Sequence, residues 1–266
     1  MSELRQRIIV SMIFIPLLLA GIFYSGAPLV IIFLLMVVLG TLEYLTMLKN
    51  REMNLSPLVI PLAAIVYLLL VYVRGFDIEL LVILFMLANL IKIFRWKKDN
   101  NLATNFAAMW GLFYTAVVPA MVVRIGLDYK SEFILLVLIL MIWIVDSVAY
   151  FIGMNFGKHR GVTEISPRKS VEGFIAGAVT PFVIVGILQV VRFDLIPLSH
   201  LLLIAFSAGV IGQMGDLVES MLKRYCGVKD SSNLIPGHGG ILDRTDSILV
   251  AGSFLYCALI FLDKVR

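Results

Sequence analysis

Apolar residues along this chain gather into long blocks divided by short polar stretches, and the blocks exceed what the core of an ordinary globule requires. Measured against about 20 residues per crossing of ~30 Å of hydrocarbon, spans are predicted near Ile8 to Tyr24, Pro28 to Leu48, Pro57 to Val73, Ile78 to Phe94, Thr104 to Ile125, Glu132 to Ile152, Val171 to Val191, Leu201 to Leu222 and Ser247 to Leu262. The fold class expected is an all-α polytopic integral membrane protein, a bundle of about nine transmembrane helices. Only Ser25, Gly26 and Ala27 part the first two spans, so these must form a tight helical hairpin. The opening MSELRQRIIV and the apolar run broken by Pro16 look superficially like a secretory signal. No small-x-small cleavage site follows, and a retained first helix is expected.

Composition agrees with lipid as the solvent. Of 266 residues 61% are hydrophobic and 15% charged, with a mean hydropathy of +0.99, whereas a soluble globule carries about 25% charged residues. The formal charge of +4 says more about orientation than about a partner. If the N-terminus is cytoplasmic, that side holds Arg5, Arg7, Lys49, Arg51, Lys92, Arg95, Lys97, Lys98, Lys158, Arg160, Arg168, Lys169, Lys223, Arg224, Lys229 and Arg244. The other side holds only Arg74, Arg124, Lys130, Arg192, Lys264 and Arg266, as the positive-inside rule requires. Both long polar loops, Gly153 to Ser170 and Lys223 to Asp246, then share the cytoplasmic face of a cell or inner membrane. Cys226 and Cys257 lack the spacing of a disulfide framework or a zinc site and are read as structural.

Polar chemistry is confined to the second half, which divides the chain into N-terminal helices over 1–131 and a chemically equipped half over 132–266. In the first half Glu43, Asn89 and Lys92 lie near helix ends, where snorkelling accounts for them. In the second, Asp146 stands within an otherwise apolar span, an insertion costing about 2.5 to 3.5 kcal/mol on translocon scales, and it marks either a functional path or a packing hydrogen bond. Tyr150 and Gly153 follow on its helical face. Lys158, His159, Arg160, Arg168 and Lys169 are interleaved with Gly153, Gly157 and Gly161, which suits phosphate binding and equally suits an orientation determinant beside anionic lipid. Asp216, Glu219, Ser220 and Lys223 recur at i, i+3, i+4 and i+7, one stripe at the end of the eighth span. Asp243 and Asp246 share a face where the ninth begins, at the positive helix terminus. Hard oxygen donors of this kind favour magnesium, and one His beside one Cys makes no zinc set.

The stretch SMLKRYCGVKDSSNLIPGHGGILDRTD, Ser220 to Asp246, resembles the hallmark of the phosphatidate cytidylyltransferase family at Ser220, Lys223, Arg224, Lys229, Asp230, Pro236, His238, Gly239, Gly240, Asp243, Arg244 and Asp246. DSVAYFIGMNFGK from Asp146 and SPRKSVEG from Ser166 are weaker elements of the same resemblance, and Met154 stands where family members often carry a basic residue. The resemblance implies an enzyme that joins CTP and phosphatidic acid, with magnesium and room for a second cation, releasing pyrophosphate and CDP-diacylglycerol. On that footing Asp216 and Asp246 are expected as metal ligands, with Glu219, Asp243 and Asp146 as additional ones. Lys223, Arg224, Lys229 and Arg244 are expected to hold the triphosphate and the lipid phosphate, and His238 to contact phosphate. Lys158, Arg168, Lys169 and Ser220 are expected to contact phosphate from their own segments. Membrane lipid is a partner, nucleic acid is not, and a homodimer is allowed. A CTP-dependent polyprenol or phytol kinase is the competing enzyme reading, and a transporter using Asp146 and Asp216 as an ion path is the competing non-enzyme one.

Overall fold

The computed structural model describes residues 3–75, 77–94, 102–192, 194–235, 237 and 239–265. Among them nine helical rods follow one another: α1 (Glu3–Tyr24), α2 (Gly26–Lys49), α3 (Val59–Tyr72), α4 (Asp77–Phe94), α5 (Leu102–Asp128), α6 (Ile134–Phe156), α7 (Val171–Val190), α8 (Leu198–Tyr225) and α9 (Leu242–Val265). Each predicted span falls on one rod, because an apolar run in lipid must satisfy its own backbone and the helix does so locally. Six of the rods, α2 and α5 to α9, are long and apolar enough to cross a membrane. Arg95, Lys97, Lys98, Pro236, His238 and Arg266, with the side chains of Arg5, Arg7, Asn89 and Lys92, lie outside the described residues.

The hairpin between α1 and α2 turns on Ser25 and Gly26, both at positive φ, and Ser25 Oγ donates to Gly126 O at 2.7 Å. Two rods are not uniform. α5 contains a π turn at Phe113–Val117 and α8 another at Ser207–Ile211; each inserts a residue and re-aims the turns that follow. One contiguous core runs through both halves of the chain, with Phe33, Tyr67, Ile125, Leu138, Ile139 and Leu201 buried in it. Small residues let backbones meet where the chemistry lies. A side chain at Gly215 of α8 would come within 2.7 Å of Asp246 O and 3.1 Å of Ser247 Cα on α9. These two helices therefore pass almost backbone to backbone beside Asp216 and Asp246.

Polar contacts sort the loops into two ends as the alternation of spans requires. At one end Arg51 donates to Tyr225 O, Lys169 pairs with Asp216, and Glu43 meets Ser231 and Ser232. At the other, Lys130 Nζ donates to Tyr24 O at 2.9 Å, Arg74 pairs with Asp128 at 2.7 Å, and His200 Nδ1 lies 2.9 Å from Glu132 Oε2. The segments 157–170 and 226–241 thus share an end.

Candidate active site

A cleft of about 460 Å³ opens at that shared end, between α6, the start of α7, α8 and the start of α9. Its wall holds Asp146, Ala149, Tyr150 and Gly153 from one face of α6, Gln213 and Asp216 from α8, and Asp243, Asp246 and Ser247 from α9. Arg160, Arg168 and Lys169 enter from the connecting loop. A larger cavity of about 960 Å³ lies against the side of α8 that carries Met221, Leu222 and Tyr225, and no charged side chain is among its lining residues. The smaller cleft is the one with chemistry.

The loop before α7 is folded by its own backbone. Gly161 N donates to Lys169 O at 2.9 Å and Val171 N to His159 O at 2.9 Å, while Arg160 Nη1 reaches Arg168 O at 3.1 Å. Ser170 then caps α7 by accepting from Gly173 N at 3.1 Å, a common helix start. This turn carries Lys169 across to the Asp216 carboxylate on α8. Gln213, one turn before Asp216, donates to Phe174 O at 3.1 Å and fastens α8 to α7.

Acidic groups crowd the floor. Glu219 is fully buried, one carboxylate oxygen accepting from Lys223 Nζ at 2.7 Å. Its Oε1 has no hydrogen-bond partner among the described residues. Lys223 Nζ also donates to Asp243 Oδ1 at 2.6 Å. Asp243 Oδ2 accepts from Ser231 N at 2.8 Å, Ser231 Oγ at 2.9 Å and Gly240 N at 2.8 Å. Asp246 is buried, with Oδ1 accepting from Ser247 N at 2.7 Å. Its carboxylate lies in the field of those of Glu219 and Asp216, and Asp146 in the field of Asp216. Lys169 and Lys223 answer five carboxylates, and among the described residues neither Asp146 nor Asp246 makes an ion pair.

No three His, Cys, Asp or Glu side chains among the described residues converge closely enough to hold a metal by themselves. Magnesium does not need such a set, since it takes one or two protein carboxylates and completes its shell with water and substrate phosphate. Asp146, Asp216 and Asp246, from three helices around one cleft, offer such donors singly or in a pair. Asp243 is differently placed, since both of its oxygens are engaged in holding Lys223 and the 231–240 loop.

The sequence expectations divide accordingly. Asp146, Arg168, Lys169, Asp216, Asp243 and Asp246 meet at the cleft, and Glu219 lies beneath it. Lys223 does not face a crevice: it is 8% exposed and bound between two acids. Lys158, Arg224, Lys229 and Arg244 are exposed, and with half-buried Ser220 they stand outside the cleft wall. His238 lies outside the described residues. Snorkelling does not account for Glu43, which is 1% exposed and accepts hydrogen bonds from the loop of the second half. Residues beyond the expected set also gather here. Gln213 lines the cleft beside Arg160 of the basic loop singled out in the sequence, and the buried Tyr114 hydroxyl, without a hydrogen-bond partner among the described residues, feels the charges of Asp216, Glu219, Asp243 and Asp246. Helical spacing from Asp216 points to Gln213; no local signal points to Tyr114, which the π turn of α5 aims.

A sequence profile of the cytidylyltransferase family matches residues 5–262, nearly the whole chain. The chain belongs to that family. Among cytidylyltransferase relatives, the phosphatidate cytidylyltransferase of Bacillus subtilis (strain 168) is 54% identical over 118 residues, 44% of each chain. That of Haemophilus influenzae is 38% identical over 173 residues, 60% of this chain and 57% of its own. These two alignments span about half of each relative. The phosphatidate cytidylyltransferase of Staphylococcus epidermidis is similar along almost its full length, 32% identical over 259 residues that cover 95% of this chain and 96% of the relative.

Proposed function

We propose that this cytidylyltransferase joins CTP to phosphatidic acid, forming CDP-diacylglycerol and pyrophosphate. One observation carries the reading beyond the relatives' names: carboxylates from three helices and cations from a glycine-punctuated loop surround one cleft at the end of a bundle with six helices long and apolar enough to cross a membrane. An oxygen of the lipid phosphate attacks the α-phosphorus of CTP, a new P–O bond forms, and the bond to the β-phosphate oxygen breaks with pyrophosphate leaving. The attacking monoester has a second pKa near 6 and is largely dianionic at neutral pH, so no strong base is needed. The obstacle is repulsion between two polyanions.

Arg160, Arg168 and Lys169 would bind phosphate oxygens, the arginines through paired donors. One or two of Asp146, Asp216 and Asp246 would hold magnesium, which would supply charge neutralisation at the transferring phosphoryl group. Lys169 lies on the line between loop and acids and would exchange its pairing with Asp216 for the incoming triphosphate. Arg224, Lys229 and Arg244, exposed at the same end, serve capture of the anionic substrates. The excess of basic residues on this end argues for a cytoplasmic cleft and N-terminus, with nine crossings in an inner or cell membrane. Against a transporter, the polar groups gather toward one end of the bundle, Asp146 at mid-helix excepted.

Incubation of purified protein with phosphatidic acid, magnesium and CTP labelled in the cytidine should move label into lipid, and EDTA should stop this until magnesium is restored. A polyprenol kinase would transfer only a γ-phosphate label, and a transporter would transfer neither; either result would overturn the reading.

A further inference from the structure

The carboxylate of Glu43, near the end of α2, makes contacts that a residue of the N-terminal half has no local reason to make. Its Oε1 accepts from Ser232 Oγ at 2.6 Å and Ile241 N at 2.8 Å, and its Oε2 accepts from Leu242 N at 3.0 Å and lies 3.0 Å from Ser231 Oγ, whose single proton it shares with Asp243 Oδ2. Ile241 and Leu242 open α9, so a side chain from a helix some 200 residues earlier in sequence caps that helix in the way a local acidic N-cap would. Gly240 completes the fit: a β-carbon there would fall 2.6 Å from both Glu43 oxygens. Ser231 Oγ lies against Glu43 on one side and Asp243 on the other. The two carboxylates thus hold the loop and the first turn of α9 from opposite sides, and Asp246 stands one turn further on.

We propose that Glu43 is a positioning residue for the cytidylyl transfer, acting through the 231–242 segment to set Asp246 in the cleft. This rests on the cytidylyltransferase reading for its kinetic consequence, but the structural part stands alone. A buried carboxylate that accepts three hydrogen bonds of its own, two of them from backbone amides at a helix start, and shares a fourth with Asp243 orders the backbone it binds. The rim cations Arg160, Arg168 and Lys169 belong to another loop, with which Glu43 has no hydrogen bond among the described residues. Arg244 lies on the turn that Glu43 holds, so loss of the clamp should disturb the acids most and CTP capture less.

The test is Glu43→Gln, which keeps the size and replaces one acceptor with a donor facing amides. Its kcat for label incorporation should fall about 10-fold to 100-fold, the range for residues supporting metal-binding groups, with KM for CTP changing less than kcat. Trypsin cleavage at the exposed Lys229 should quicken in the substrate-free protein. Tyr44→Phe, next on the same helix and losing its own bond to Ala107 O, should keep kcat and serves as the stability reference. Ser232→Ala should lower kcat in the wild type and add little to Glu43→Gln. Should Glu43→Gln fail to fold, Ser232→Ala carries the same readings. Wild-type kcat, wild-type cleavage at Lys229, a raised KM alone, or a kcat loss that only tracks melting temperature would each overturn the proposal. If the wild type incorporates no label, the activity reading fails while the cleavage comparison still decides this one.

Discussion

Lys223 shows how far a side chain's neighbours can change its meaning. As one of four polar positions on a helical stripe it reads as a cation for phosphate, yet its amine is buried 2.7 Å from Glu219 and 2.6 Å from Asp243. Removing one partner of a buried ion pair typically costs about 3 to 5 kcal/mol, because the other charge is left uncompensated. Lys223→Ala should therefore lower the melting temperature in detergent as well as turnover, and Lys223→Met with Glu219→Gln should recover part of the stability. A variant as stable as the wild type would show that the pair is not what holds this corner. Arg168, by contrast, faces the cleft, and Arg168→Ala should leave stability intact. It should cost about 1.5 to 3 kcal/mol of transition-state binding, roughly 10-fold to 150-fold in kcat/KM. At Asp216 and Asp246, substitution by Asn keeps volume and removes charge, and each should abolish label transfer at any CTP concentration.

Among the helices, α8 and α9 decide the site together. Gly215 permits their backbones to meet, and that contact places Asp216 beside Asp246 although 30 positions part them in sequence. Gly215→Ala puts a methyl against backbone atoms that cannot rotate away, so α8 must shift from α9. Overpacking of this kind costs about 1 to 3 kcal/mol, and activity should fall more steeply than the melting temperature because the two acids separate. Equal loss in both, or none, would mean that the helices yield elsewhere. The π turns belong to this scale too. Apolar periodicity predicts α5 and α8 as single spans, which they are, but the extra residue within each turn follows from packing and leaves no mark in hydropathy.

At the scale of the whole molecule, the sorting of loops between two ends supports one arrangement of the bundle, and the basic residues argue for its orientation. A single cysteine at Lys229 should be labelled from the cytoplasmic side and one at Lys130 from the opposite side, using intact cells and inverted vesicles. Labelling of position 229 from outside would reverse both topology and the side on which CTP binds. Much of this was legible beforehand, for a physical reason: lipid forces each apolar run to be a helix, so nine rods and the pairing of the two polar loops follow from hydropathy and alternation alone. The Ser220 to Asp246 stretch likewise carries the family in its own residues. The sequence could not determine which polar groups face the cleft, because helical spacing gives a stripe and not the neighbour it meets. Asp243 and Asp246 share a face of α9, yet one ties down a loop and the other borders the cleft. Glu43 passed for a snorkelling side chain because its partners lie 188 to 199 residues away. Only the tertiary packing of α2 against the start of α9 turns that acid inward, where burial makes its hydrogen bonds obligatory.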